Sequence, residues 1–122
     1  MNHMKIRFAA FVALMMAFCV LQPACSAEKK MDAFAKCLTE KKAVMYGAST
    51  CSHCADQKEM FGPSFQYVTY VECMVPGSRA ETEQCKSLGI KHTPTWIFGD
   101  GSRLEGSIPL DKLSQQTGCK LP

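Results

Sequence analysis

Two cysteines separated by two residues, Cys51 and Cys54, are the side chains of this sequence best suited to chemistry. They follow an apolar, strand-like run at residues 43–47 and precede a helix-like run at residues 57–61. A helix N-terminus stabilises an anion through its unpaired N–H groups and the positive end of its dipole. Because the thiolate is the nucleophilic form of cysteine, this placement predicts a dithiol that closes and opens as a disulfide.

Within this dithiol, Cys51 is the predicted nucleophile and Cys54 the resolving thiol. A free cysteine has a pKa of about 8.5, which a helix start and a nearby positive charge lower to roughly 3.5–7.5. His53 lies between the two sulfurs and can add such a charge. Attack by Cys51 on a partner's disulfide would give a mixed disulfide that Cys54 breaks, and the reverse sequence would deliver a disulfide to a client. The residues leave the direction of exchange open.

A structural disulfide and half of a zinc site are the alternative interpretations of Cys51 and Cys54. Zinc in structural sites normally takes four ligands, whereas the next two cysteines, Cys73 and Cys85, are twelve residues apart. The sequence therefore favours redox chemistry with no metal or other cofactor. We interpret His53 as an exposed modulator of the thiolate rather than a general base.

The first 27 residues are predicted to be a signal peptide, and residues 28–122 a single domain. Lys5 and Arg7 precede fourteen apolar residues at 8–21, and small residues follow at positions 24, 26 and 27. This is the order of a secretory signal, and the apolar run is shorter than the ~18–20 residues of a membrane span. We expect cleavage after Ala27. The alternatives are an uncleaved membrane anchor and a lipid anchor on Cys25.

Charge and cysteine content indicate an exported, disulfide-bonded protein. Fourteen Lys and Arg stand against eleven Asp and Glu, a net charge of +3 that falls to +1 without Lys5 and Arg7. This balance does not favour nucleic acid or an anionic membrane as a partner. Six cysteines remain after residue 27, and an even set in an exported chain indicates disulfides. We expect a monomer in a bacterial periplasm.

Six cysteines allow fifteen disulfide connectivities. Close spacing makes only one pair evident, Cys51 with Cys54. Cys73 with Cys85 is the favoured second pair, because it would tie the end of a predicted strand to the following helix. A bridge across so short a loop contributes about 3 kcal/mol if unstrained. Cys37 and Cys119 then remain, one in each terminal helix. Whether they pair is left open, because a disulfide needs Cα atoms ~4.4–6.8 Å apart.

The remaining elements alternate between helices and strands. Apolar periodicity predicts a first helix over residues 31–41, a buried strand at 43–47, and a dithiol helix at 51–61 that stops at Gly62 and Pro63. Aromatic and β-branched residues predict a second strand at 65–73, and a helix from residue 78 or 79 to 88 follows, closed by Gly89. A hairpin turn at 99–102 joins strands at 95–98 and 103–105. A helix at 109–117 ends at Gly118.

These features resemble the thioredoxin family. The resemblance rests on Cys51 and Cys54 after a buried strand, on Thr93-Pro94-Thr95 before a later strand, and on the Gly99-Asp100-Gly101 hairpin. It implies an α/β, thioredoxin-like fold with a four-stranded mixed sheet flanked by helices. It also implies a cis peptide bond before Pro94, which would pack against the dithiol, while the backbone beside it would dock extended client segments.

A closer resemblance, over residues 33–117, is to the thioredoxin-like domain that is fused to, or partnered with, vitamin K epoxide reductase homologues. The segments that carry it, besides the dithiol, are residues 34–38, 45–48, 57–62, 70–73 and 89–91. It implies that Cys73 and Cys85 form a structural disulfide. It also implies that the dithiol passes electrons from client proteins to a membrane-embedded reductase homologue, here a separate protein.

The sequence departs from these families at two positions. Thr50 stands where many relatives have an aromatic residue before the first cysteine, and Met45 stands where ordinary thioredoxins have a buried aspartate. That aspartate is the usual proton acceptor for the resolving cysteine, so Glu72 or water would have to serve here.

The sequence thus predicts an exported thiol–disulfide oxidoreductase that takes part in oxidative folding. A reductase or isomerase that keeps other exported cysteines reduced is the alternative within redox chemistry, and the reduction potential separates the two. A non-catalytic module that holds peptides beside Pro94 is the alternative from another class.

Overall fold

The computed structural model describes residues 24–122 as an α/β fold with one four-stranded sheet. The helices are α1 (Ala24–Glu40), α2 (Ser52–Phe61), α3 (Glu83–Leu88) and α4 (Leu110–Thr117), with a 3₁₀ helix at Gly62–Tyr67. The strands are β1 (Val44–Gly47), β2 (Thr69–Glu72), β3 (Thr95–Ile97) and β4 (Arg103–Glu105). Among these described residues, no helix is long and apolar enough to cross a membrane. The predicted signal-peptide features at residues 5–21 lie outside them.

The sheet has the order β2-β1-β3-β4 and mixes both strand directions. β1 runs parallel to β2 and antiparallel to β3, and β3 pairs antiparallel with β4 across the predicted hairpin turn. Because β1 is central, the chain leaves the middle of the sheet directly into the Cys51–Cys54 segment. This is the thioredoxin-like fold that the sequence predicted.

Two apolar clusters cover the two faces of the sheet. Met45 and Trp96 pack into the larger cluster with residues of α1, α2 and α4, and Tyr46 of β1 belongs to a smaller cluster with α3. Neighbouring residues of a strand point to opposite faces, so Met45 and Tyr46 belong to different clusters. The larger cluster holds Cys54 and the smaller one holds the Cys73–Cys85 pair.

The second predicted strand was too long at its N-terminal end. Residues 62–67 form a 3₁₀ helix with Pro63 in its first turn, and β2 begins only at Thr69. Phe65 and Tyr67 have high strand propensity but pack by their rings. Phe65 contacts Phe61 and Tyr70, and the Lys36 ammonium lies 4.2 Å from the Tyr67 ring centre. Tertiary packing has overridden the local preference.

The third helix was also predicted too long. α3 begins at Glu83, and the Thr82 hydroxyl caps it by accepting the Cys85 N–H. The residues before it form a turn in which the Val75 N–H donates to the Ala80 carbonyl. Threonine at an N-cap satisfies a donor that the helix itself leaves free, so the helix starts there rather than at residue 78 or 79. The first helix, in contrast, was predicted too short, because α1 begins at Ala24 rather than at residue 31.

Two disulfides brace the fold. Cys73 and Cys85 join the end of β2 to α3, with Cα atoms 5.6 Å apart. Cys37 of α1 and Cys119, just after α4, are joined with Cα atoms 5.9 Å apart, across 82 residues of sequence. The pairing that the sequence left open is therefore present in the structure, and it links the two ends of the described domain.

Removing the Cys37–Cys119 disulfide should destabilise the domain by about 2–4 kcal/mol, because a bridge across a long loop restricts the unfolded chain. The variant is Cys37→Ala with Cys119→Ala, and the measurement is urea unfolding of the variant and the wild type. In excess reductant the difference should largely disappear, because both proteins then lack the bond. A difference that persists under reduction would assign the effect to side-chain packing instead.

Candidate active site

Cys51 is held at the start of α2 by the backbone that leaves β1. It is the N-cap residue, with extended backbone angles, and its sulfur accepts the Cys54 N–H at 3.4 Å. Its S–H donates to the Thr93 carbonyl at 3.2 Å. The side chain is partly exposed. A capping thiol in this position is stabilised as a thiolate by the helix N–H groups that it faces.

The surroundings of Cys51 lower its pKa below that of a free cysteine. Partial burial acts in the opposite direction and is the largest single influence. Hydrogen bonds with the side chains of Thr93 and Cys54, and with the backbone amides of Cys54 and His53, together outweigh it. The thiolate is therefore more accessible at Cys51 than in a free cysteine, as a nucleophile requires.

Cys54 has the opposite environment. Its side chain is buried, with 1% of its surface exposed, and its sulfur accepts the Ala48 N–H at 3.4 Å. Burial raises its pKa to about 11, and the neighbouring Cys51 adds to the rise. Both cysteines are free thiols in the structure. One thiol that ionises readily and faces solvent, next to one that is buried and protonated, fits a nucleophile and a resolving thiol.

The loop before β3 completes the site. The Thr93–Pro94 peptide bond is cis, as the resemblance implied. This loop brings the Thr93 carbonyl to Cys51, while Pro94 is buried and its carbonyl accepts the Gly106 N–H. The sequence analysis thus selected residues, about forty positions apart, that the structure brings into contact.

His53 lies at the edge of the site rather than inside it. Its side chain is 70% exposed, and its Nδ1 is 3.8 Å from a carboxylate oxygen of Asp56. The hydrogen bond that affects Cys51 comes from the His53 backbone amide. His92, in the loop before Thr93, is exposed, and its carbonyl accepts the Thr95 hydroxyl.

Sequence reasoning missed the role of Gln57, a residue of α2 whose side chain is fully buried on the inner face of that helix. Its Oε1 accepts from the Trp96 indole N–H at 3.2 Å and from the Ile108 N–H at 2.6 Å, and its Nε2 donates to the Ile108 carbonyl at 3.0 Å. Gln57 therefore fixes α2 against β3 and the segment before α4. The signal was available, because Gln57 is three residues after Cys54 and four before Phe61, on one helix face.

A second missed feature is the close approach of Tyr70 to the dithiol. An ideal Cβ on Gly47 would lie 2.8 Å from Cε2 of Tyr70, 3.2 Å from its hydroxyl oxygen and 3.1 Å from the Cys54 sulfur. The Tyr70 hydroxyl donates to a Glu72 carboxylate oxygen at 2.8 Å. Burial, then Glu72 and the two cysteines, raise the pKa of Tyr70. The Tyr70 ring and the Cys54 sulfur therefore border the same small space, which is open because residue 47 is glycine.

An open groove of about 550 Å³ borders the dithiol on the β2 side. Its lining consists of Ser49, Thr50, Glu72, Met74, Val75, Pro76, Gly77, Ser78 and Arg79. Thr50 directly precedes Cys51, so the groove begins beside the candidate nucleophile. Thr50, which stands where many members of the families that the sequence resembles have an aromatic residue, lines this groove.

No group of three or more His, Cys, Asp and Glu side chains within residues 24–122 is arranged to hold a metal ion. Cys51 and Cys54 are thus flanked by the hydrogen-bonding groups already described, which suit proton transfer and sulfur exchange. The arrangement can form a Cys51–Cys54 disulfide and return it to the dithiol.

Comparison with known proteins supports this chemistry. No protein-family model matches the chain. The chain is similar to a curated protein of Arabidopsis thaliana, thiol-disulfide oxidoreductase LTO1, with 43% identity over 93 residues. The match takes in 73% of this chain, which spans only about a quarter (24%) of the relative's length. The similarity supports an oxidoreductase, and because the relative is a plant protein, it does not support the predicted bacterial periplasm.

Proposed function

We propose that this chain is a thiol–disulfide oxidoreductase that exchanges the Cys51–Cys54 pair with cysteines of client proteins. The observation that carries the proposal is the contrast between the two thiols. Cys51 is partly exposed, caps α2 and has a lowered pKa, while Cys54 is buried with a raised pKa. The first can attack or be attacked by an outside sulfur, and the second is reachable only from within the protein.

The reaction consists of two thiol–disulfide exchange steps and balances in atoms and electrons. In the reducing direction, the Cys51 thiolate attacks a client disulfide, forming a mixed disulfide and releasing one client thiolate. Cys54 then loses its proton and attacks the Cys51 sulfur, forming the Cys51–Cys54 bond and releasing the second client thiolate. The client gains two electrons and the dithiol loses two. In the oxidising direction the same steps run in reverse.

Client segments are proposed to lie across the open end of the site. The Thr93 backbone and the groove that begins at Thr50 flank the Cys51 sulfur on two sides. The groove carries a carboxylate at Glu72 and a guanidinium at Arg79 among apolar and small residues. Such a surface accepts an extended segment through backbone hydrogen bonds and shallow apolar contacts. In this proposal Thr93 and Pro94 position the client, and Pro94 acts through the backbone because its ring is buried.

The proposed direction is disulfide donation in an oxidising compartment outside the cytosol. Stabilisation of the Cys51 thiolate favours the reduced dithiol, and a protein whose reduced form is stabilised is an oxidant. The signal-like sequence and the two further disulfides are consistent with export. A membrane reductase of the vitamin K epoxide reductase type is proposed as the partner that reoxidises the dithiol, supported by the sequence resemblance. A reduction potential near about −270 mV rather than −120 mV would instead favour a reductase.

The test is covalent trapping with Cys54→Ser. This variant keeps the nucleophile but cannot resolve, so we expect mixed disulfides to accumulate at Cys51 in cells, identified by non-reducing electrophoresis and mass spectrometry. The matched control is Cys51→Ser, which should trap almost nothing because the remaining Cys54 is buried. Equal trapping by both variants, or none by either, would contradict the proposal. The identity of a trapped membrane protein tests the proposed partner separately.

The pH dependence of alkylation tests the assigned roles. In the reduced wild type, alkylation of Cys51 by iodoacetamide should have its midpoint at a lower pH than that of a free cysteine, because the pKa of Cys51 is lowered and the thiolate persists as pH falls. Alkylation of Cys54 should become appreciable only as the pH approaches about 11. Peptide mass spectrometry distinguishes the two sites. Faster alkylation of Cys54 than of Cys51 at neutral pH would reverse the assignment.

A further inference from the structure

The buried thiol of Cys54 needs a proton acceptor before it can resolve a mixed disulfide. At neutral pH it is protonated, because burial raises its pKa to about 11. The residue is 1% exposed, and its sulfur accepts the Ala48 N–H at 3.4 Å. Bulk water therefore has poor access to the proton, and the acceptor has to come from the protein side of the site.

Tyr70 is the polar side chain of the sheet that borders the same space as the Cys54 sulfur. Its hydroxyl oxygen and the Cys54 sulfur lie 3.2 Å and 3.1 Å from the same point, the position of a Cβ on Gly47. No side chain fills this point because residue 47 is glycine. The sheet register places Tyr70 opposite Met45, on the strand next to β1. Backbone pairing therefore fixes where the hydroxyl lies relative to Cys54.

Glu72 holds this hydroxyl in one orientation. The Tyr70 O–H donates to Oε2 of Glu72 at 2.8 Å, and Oε1 of Glu72 accepts the Met74 N–H at 3.0 Å. With its proton directed at Glu72, the tyrosine oxygen presents its lone pairs elsewhere. The carboxylate lines the open groove beside Thr50, so a proton that reaches it can pass to solvent.

We propose that Tyr70 and Glu72 form the proton-accepting path for Cys54 during resolution. The inference rests on the thiol-exchange function proposed above and adds two residues to it. Tyr70 is the first acceptor, placed across the space at Gly47 from the reacting thiol, and Glu72 is the final acceptor. Glu72 or water was the acceptor expected from the sequence, in which nothing connects Glu72 to a buried sulfur. Tyr70 supplies that connection.

The step balances without an added reactant. The Cys54 S–H bond breaks as its proton moves to the Tyr70 oxygen, while the Tyr70 proton moves to Glu72, which becomes a carboxylic acid. The Cys54 thiolate attacks the Cys51 sulfur, the Cys51–Cys54 bond forms, and the bond from Cys51 to the client breaks. The client leaves as a thiolate, and Glu72 returns its proton to water.

The other charged and titratable groups around the path are compatible with it. From α2, the Lys58 ammonium lies 3.9 Å from the centre of the Tyr70 ring, and Cys51 is in a disulfide with the client at this stage. From β2, Glu72 faces the hydroxyl. Burial, together with Glu72, raises the pKa of Tyr70, so the hydroxyl stays neutral and relays a proton rather than holding a charge. From the loop before β3, Thr93 contributes neutral groups only.

The test separates attack from resolution with a chromogenic aromatic disulfide in stopped flow. Attack by Cys51 releases the first equivalent of coloured thiolate, and resolution by Cys54 releases the second. At neutral pH, Tyr70→Phe and Glu72→Gln should each slow the second phase by about 100-fold, the usual scale for loss of a positioned base. In Tyr70→Phe the first phase should change less than about twofold, because this variant removes no group that bonds Cys51.

A dependence on pH distinguishes proton transfer from a structural effect. The deficit of both variants should shrink as the pH rises toward the Cys54 pKa of about 11, because the thiol then ionises without help. Tyr67→Phe is the matched control, since this tyrosine packs under Lys36 in the 3₁₀ helix, and it should leave both phases unchanged. Wild-type resolution in both variants, or a deficit that is constant with pH, would overturn the inference. A missing first phase in the wild type would instead overturn the proposed function.

Discussion

Replacing Cys51 with serine should lower the rate of disulfide exchange by at least about 100-fold, to the level of the uncatalysed reaction. A serine hydroxyl does not ionise near neutral pH, so the helix N-terminus that stabilises the Cys51 thiolate has no anion to stabilise. Cys54 cannot substitute, because it is buried and its pKa is raised to about 11. The measurement is insulin reduction, or refolding of a reduced substrate protein, by the wild type and the variant.

The control for this experiment is Cys54→Ser, which should retain the first, covalent step while losing turnover. The two variants remove sulfur atoms from the same short segment, so a general disturbance of α2 would affect both in the same way. Covalent capture by Cys54→Ser and its loss in Cys51→Ser would locate the nucleophile. Equal turnover by Cys51→Ser and the wild type would favour the alternative of a non-catalytic peptide-binding module on the same fold.

The dithiol and the two elements that flank it were predictable because they are formed by consecutive residues. An apolar strand, two cysteines and a helix start follow one another between residues 43 and 61, and the structure forms them in that order. Gly89 and Gly118 also end their helices as predicted, and both have the left-handed conformation. These features depend on backbone preferences within a few residues, which a sequence displays directly.

The features that were missed or left open depend on contacts between distant residues. Phe65 and Tyr67 have the composition of a strand, yet packing against Phe61 and Lys36 places them in a 3₁₀ helix. The Cys37–Cys119 bond depends on where the terminal helices meet, which spacing does not specify. The approach of Tyr70 to Cys54 depends on strand register and on a glycine that leaves space. Each is a property of the packed domain.

Replacing Gln57 with leucine should destabilise the domain by about 3–9 kcal/mol, because three polar groups would lose their partners at once at about 1–3 kcal/mol each. These are the Trp96 indole N–H, the Ile108 N–H and the Ile108 carbonyl, which all form buried hydrogen bonds with the Gln57 side chain. Leucine has a similar volume, so the loss would come from unpaired polar groups rather than from a cavity. Urea unfolding followed by circular dichroism measures the change.

The effect should extend to the dithiol, because Gln57 follows Cys54 by three residues on α2 and anchors that helix to β3. In Gln57→Leu, Cys54 should be alkylated faster at neutral pH than in the wild type, as local opening exposes its sulfur. Gln115→Leu is the matched control, an exposed glutamine of α4, whose replacement should change stability by no more than about 0.5 kcal/mol. Similar losses in both variants would show that the buried hydrogen bonds are not what holds the dithiol helix in place.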